Sequence, residues 1–329
     1  METAAAAVST QSKVQFRAHR DALGDALVSL GAEYPNLVVV DPDVRVSTRS
    51  EAFFDAYPDR YVCTGIAEQN AMGVATGLAS WGYTPVVPLY AVFAAGKAAD
   101  QVLNSIAYSR SNVKIVGTHG GVNVGADGPS HQAIVDLGVM RSIPGMVVLT
   151  VADASEVEPA LRAALSHEGP VYLRLERAAT PVLGWGDIPF AIGNGLIVRD
   201  GSDLAIVAIG SMVFEGLRAA DELQRQGISA RVINMRSLKP MDSAMVERAA
   251  EETAGVITVE DHNEYGGLRS AVAEALAAIG AGPMRWVAVE DRFAESGTCS
   301  ELREMCGLTA ARIVERALDL VNARSHAYE

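Results

Sequence analysis

With 329 residues, 49% of them hydrophobic and 20% charged, the chain can bury a sizeable core, and wholesale disorder is excluded. A formal net charge of -13 is the wrong balance for a general nucleic-acid or anionic-membrane binder. The three cysteines, Cys63, Cys299 and Cys306, form no C-x-x-C pair or disulfide framework and suit a reducing cytoplasm, and no apolar run reaches the roughly 18 residues a membrane helix needs.

The opening METAAAAVSTQSK lacks the basic region and apolar core of a secretory signal and reads as a frayed tail over 1–13. From there β-rich runs alternate with helical patterns. NLVVVD (36–41) and a weaker strand at 61–64 lead into a helix that stops at Gly82. TPVVPLY (84–90) follows, then a helix through AAGKAADQVLNSIAYS. Strands at 113–119, 146–151 and 170–175 alternate with helices near 131–142 and 154–167. Short β-branched strands separated by helices predict βα units and a mostly parallel sheet. Residues 178–195 break the rhythm with Pro and Gly and read as a linker. A second series follows, with strands at 203–210, 230–235, 255–260 and 285–290 and helices over 213–226, 268–279 and 309–322. The expectation is an α/β protein of two doubly wound, mostly parallel-sheet domains, 14–185 and 186–329.

Ligands of open parallel sheets collect outside the carboxyl ends of the strands. Asp41, Glu68, Phe93 and His119 all fall just after predicted strands. Glu68 lies in the first turn of its helix if Thr64 is the N-cap. A surface acid at a helix start is the plain alternative. The small residues that follow, Ala71, Gly73, Ala75, Gly77 and Ala79, instead suggest close packing on several sides, and a partly buried carboxyl suits proton handling. In THGGVNVGADGPSHQ (118–132), four glycines let the backbone approach a ligand closely. His119, Asp127 and His131 on that loop suit hydrogen bonding to a polyhydroxylated substrate and proton transfer, while H-x11-H is weak as a zinc site. Phe93 is either core or a stacking platform for a heteroaromatic ring. Arg174 and Arg177 in YLRLER either recognise an anion or pair with an acid such as Glu176. Phosphate-loop, dinucleotide and nucleophile-elbow motifs are absent, and all three cysteines read as structural.

Taken together, GIAEQN with its Gly/Ala-rich helix, FAAGKAADQ and THGGVNVGADGPSHQ resemble the pyrimidine-binding half of transketolases. DLAIVAIGSMV, LKPMD and EDHNEYGGLRSAV resemble the transketolase C-terminal domain, and the likeness spans about 14–322. The resemblance implies a thiamine diphosphate pyrimidine-binding domain followed by that C-terminal domain. The family holds diphosphate and Mg2+ through a G-D-G motif with an Asn downstream, and this chain has no such motif. It therefore resembles the second subunit of a split transketolase, with an N-terminal partner subunit that carries G-D-G and Asn in an α2β2 assembly.

By the same resemblance, Glu68 is the glutamate that bonds the aminopyrimidine nitrogen, with Phe93 and Ile66 as further cofactor contacts. His119 and His131 take catalytic and substrate-side places. Asp127, Arg177 and Arg20 contact sugar hydroxyls or phosphate, and either Ser47 or Ser50 joins them. The activity implied is transfer of a two-carbon ketol unit from a ketose or ketose phosphate. Cys63 departs from the Asn common in split subunits, and Glu176 beside Arg177 would weaken phosphate binding or pair with that arginine. Rival expectations are the β subunit of a 2-oxo acid dehydrogenase E1 component and a non-catalytic scaffold of the same fold; GADGPSHQ fits the transketolase pattern better than the first.

Overall fold

The computed structural model describes residues 15–280 and 282–325, so the expected tail at 1–13 lies outside the described residues. In chain order the strands are β1 (Phe16–Ala18), β2 (Leu37–Asp41), β3 (Tyr61–Cys63), β4 (Thr84–Tyr90), β5 (Lys114–Thr118), β6 (Val147–Thr150) and β7 (Val171–Arg174). They continue with β8 (Ala179–Pro181), β9 (Leu196–Arg199), β10 (Leu204–Ala208), β11 (Ala230–Asn234), β12 (Ser237–Lys239), β13 (Val256–Asn263) and β14 (Met284–Val289).

A seven-stranded sheet runs β12-β6-β7-β5-β4-β2-β3 and a five-stranded sheet runs β14-β13-β10-β11-β9. The predicted βα units are parallel, and only the edge strands β12 and β9 pair antiparallel within these sheets. Both results follow from the sequence: β2, β5 and β10 are apolar along most of their length and buried on both faces, as parallel strands covered by helices must be.

Three features were not expected. Part of the linker, β8, pairs antiparallel with β1. After β11 the chain crosses back, and β12 adds to the edge of the first sheet at β6. One apolar cluster accordingly runs through both sheets, from Val87 and Leu89 of β4 to Val207 of β10 and Leu268. The predicted helix after β4 is broken: Ala91–Ala95 is a short α-helix, and Gln101–Ala107 is wound as a π-helix.

Candidate functional site

Glu68 opens the Glu68–Ser80 helix, with Ala67 as N-cap and no side-chain cap. Thr64 is not the cap; its hydroxyl donates to the Asp41 carbonyl at 3.3 Å. Glu68 is only 8% exposed, as expected for an acid wedged at a helix start. The helix packs inward through Ala71, Met72 and Ala75, whereas Gly73 and Gly77 face open space. The expected packing on several sides is thus one-sided within this chain.

Lys97 Nζ donates to Glu68 Oε1 at 3.2 Å and lies 4.3 Å from the centre of the Phe93 ring. Phe93 and Lys97 are four residues apart across the end of the Ala91–Ala95 helix, which sets the ammonium over the Phe93 ring. A carboxylate and an aromatic face thus flank one ammonium. Ile66 stands two residues before Glu68 with its side chain exposed.

Phe93 continues into a ring cluster. Its centroid is 5.7 Å from that of Tyr90 and 5.5 Å from that of His131, and Tyr90 lies 4.0 Å from His119. His119 is buried and adopts φ 63, a left-handed conformation that costs a non-glycine residue of the order of 1–3 kcal/mol. The Thr118 hydroxyl donates to the Leu89 carbonyl at 3.1 Å and lies 2.9 Å from His119 Nδ1. With its one proton directed to Leu89, Thr118 can only accept from Nδ1–H, so the network assigns Nε2 as the free, basic nitrogen. Burial, assisted by the charges of Arg177, Arg20 and His131, pulls the His119 imidazole down to about 3, so it is neutral at physiological pH.

Arg177 donates to the Val124 carbonyl at 2.6 Å and pairs with Asp127 at 3.1 Å. Arg20 donates to the Ser47 carbonyl at 3.2 Å, and its Nε is buried without a partner among the described residues. Ser50, by contrast, is buried against Thr48, which leaves Ser47 as the serine beside this arginine. Glu176 does not pair with Arg177. Its carboxylate turns inward and accepts from Asn123 Nδ2 at 2.8 Å and the Ser211 amide at 2.7 Å. Arg174 is internal too: its Nε donates to buried Asp136 at 3.0 Å, so it recognises no anion at the surface. Of the cysteines, only Cys306 is buried; Cys63 is exposed and Cys299 donates to the Asn123 carbonyl.

Residues 16–182 match the transketolase pyrimidine binding domain, and residues 193–313 match the transketolase C-terminal domain. The chain belongs to the transketolase family. It is 37% identical to the 6-deoxy-6-sulfo-D-fructose transketolase subunit SqwH of Clostridium sp. (strain MSTE9), covering 93% of this chain and 95% of that one. It is 36% identical to an apulose-4-phosphate transketolase subunit of Phocaeicola vulgatus, covering 92% of this chain and 97% of that one. A solved split gene transketolase, described as an inactive beta4 tetramer, superposes with a TM-score of 0.86 at 44% identity, covering 93% of this chain and 98% of that chain. The chain is thus a subunit of the split-transketolase type.

In this transketolase subunit the fold gathers Glu68, Phe93, His119, His131, Asp127, Arg177 and Arg20 around one end of the first sheet. Tyr90 and Lys97 escaped the sequence reading. Tyr90 ends β4, where the strand-end rule should have flagged it, and Lys97 sits inside the FAAGKAADQ motif. The glycine-rich loop is also held from the C-terminal half, by β13 and by the Cys299–Met305 helix. Val122 N donates to Asp261 at 2.9 Å, and Arg303 Nε donates to the Asn123 side chain at 2.9 Å. Burial, and then the Glu176 charge, push the Asp261 carboxyl up to about 6.

Proposed function

We propose that this chain is the pyrimidine-side subunit of a two-component, thiamine diphosphate-dependent transketolase that transfers a two-carbon ketol unit from a ketose or ketose phosphate. The observation that carries the reading is the buried carboxylate of Glu68 sharing one cation with the face of Phe93. A pyrimidine needs the same pair: a flat surface to lie on and a carboxyl group at its ring nitrogen. Thiamine diphosphate, when bound, supplies the nucleophilic carbon that accepts the two-carbon unit.

This chain's residues supply orientation and proton control. Glu68 would hydrogen-bond the pyrimidine edge through Oε2, since Lys97 occupies only Oε1. Phe93 stacks, with Ile66 at the mouth. His119 offers Nε2 as an acceptor to a sugar hydroxyl, and His131 is the second proton carrier. Arg20 and Arg177, with Asp127 and Ser47, form the cationic end suited to a sugar phosphate.

Diphosphate and Mg2+ belong to an N-terminal partner subunit, with α2β2 as the assembly. Among the described residues, one group of three could share a metal: Asp41, Asp43 and Cys63. Its thiol is a soft ligand, poorly matched to Mg2+. The sequence also has no G-D-G motif.

The test is Glu68→Gln in the complex reconstituted with the partner subunit. General acid–base groups contribute about 10²–10⁴-fold, so kcat for ketol transfer should fall by that factor. Unchanged turnover would move this chain to a scaffolding role.

A further inference from the structure

We infer that Asp261, on the C-terminal sheet, is a positioning residue for the glycine-rich loop between His119 and His131. The inference rests on reading that loop as the substrate side of the site. Strand β13 overruns its predicted end at 260, and Asn263 still pairs with Val289 of β14, so EDHN lies on the sheet beside the loop. There Asp261, 2% exposed, accepts from the Val122 amide at 2.9 Å through Oδ1. Gly121, at φ 74, brings the backbone so close that a Cβ would collide with the same carboxylate.

The far end of the loop is held by the same strand. The Asn263 amide donates to the Ile134 carbonyl at 2.8 Å. Arg174 closes the ring by donating to the Ala133 carbonyl at 2.9 Å and the Asp261 carbonyl at 2.8 Å, and the Gly121 amide donates to the Ala133 carbonyl at 2.9 Å. Both ends of the segment bearing His119, Asp127 and His131 are therefore tied to β13. Of these ties, the Val122 contact uses a side chain of β13 and the others use its main chain. Removing the Asp261 carboxylate leaves the Val122 amide without its acceptor, while the side-chain contacts of Asn123 and the main-chain ties at the loop exit stay in place.

The prediction separates Asp261→Ala from Asp261→Asn, because asparagine still offers an oxygen to Val122. Amide hydrogen exchange is measured on the isolated chain. In Asp261→Ala, the peptide covering 119–133 should exchange about 10- to 100-fold faster, the range set by loss of a hydrogen bond to a charged group. The β10 peptide should be unchanged, and Asp261→Asn should stay within about threefold of wild type. In the reconstituted complex, Asp261→Ala should lower kcat/KM for the ketose by a similar factor while thiamine diphosphate affinity holds. Unaltered loop exchange, equal acceleration in β10, or an equal loss of cofactor affinity would each overturn the inference. The exchange result does not depend on the activity: a wild-type complex that transferred no ketol unit would refute the proposed function and leave this measurement decisive.

Discussion

Arg174→Met tests whether the two halves of the site are locked by a buried charge. The guanidinium makes three hydrogen bonds, to Asp136 Oδ2 and to the carbonyls of Ala133 and Asp261. Methionine matches much of the stem and none of the donors. Asp136, with no exposed surface, would keep only the Tyr172 hydroxyl at 2.7 Å as a partner. Breaking a buried pair from one side costs about 3–5 kcal/mol, because the surviving charge stays desolvated. At about 2–4 °C per kcal/mol for a domain of this size, the melting temperature should fall by roughly 6–20 °C. The assay is thermal unfolding of the isolated chain at neutral pH, followed by far-ultraviolet circular dichroism. Adding Asp136→Asn removes the stranded charge and should recover part of the loss. A single variant melting within about 2 °C of wild type, or a double variant melting below the single, would refute the reasoning.

Three further outcomes are expected. Lys97→Met should tighten thiamine diphosphate binding to the reconstituted complex by roughly 3- to 10-fold, since a half-exposed ion pair and one cation–π contact no longer compete for Glu68 and Phe93; calorimetric titration decides it, and weaker binding would show that Lys97 holds the cofactor. Burial pushes the Glu156 carboxyl up to about 7, so its contribution to stability is complete below the unfolded value of 4.5 and is lost as pH rises through 7; in denaturant titrations the stability of wild type relative to Glu156→Gln should fall by about 3 kcal/mol between mildly acidic and mildly alkaline pH, and a constant gap would count against it. Gly77→Leu places its side chain in open space on the Glu68–Ser80 helix, the small-residue face that the transketolase resemblance puts against the partner, so the isolated chain should melt normally while assembly with the partner fails by size exclusion, and normal assembly would overturn that placement.

Glu68, Phe93 and His119 were legible as candidates because each falls after a strand of a parallel sheet. Glu68, Phe93 and His119 could be placed from alternating patterns and glycine spacing alone. The direction of a side chain was not legible. Adjacent Glu176 and Arg177 diverge, one into a buried polar cluster with Asn123 and Ser211, the other to Asp127 and the Val124 carbonyl. Arg174, equally plausible from sequence as an anion ligand, is consumed internally by Asp136.

What the sequence determined by itself was the succession of elements, the α/β class and the transketolase membership, since periodicity and motif order are properties of the chain read locally. Tertiary structure alone decided that Lys97 bridges Glu68 and Phe93, that His119 presents Nε2, and that β13 grips the loop from 139 residues away at Val122. Those facts depend on which backbones lie side by side and which buried donors and acceptors remain to be satisfied, and neither can be read from residue spacing.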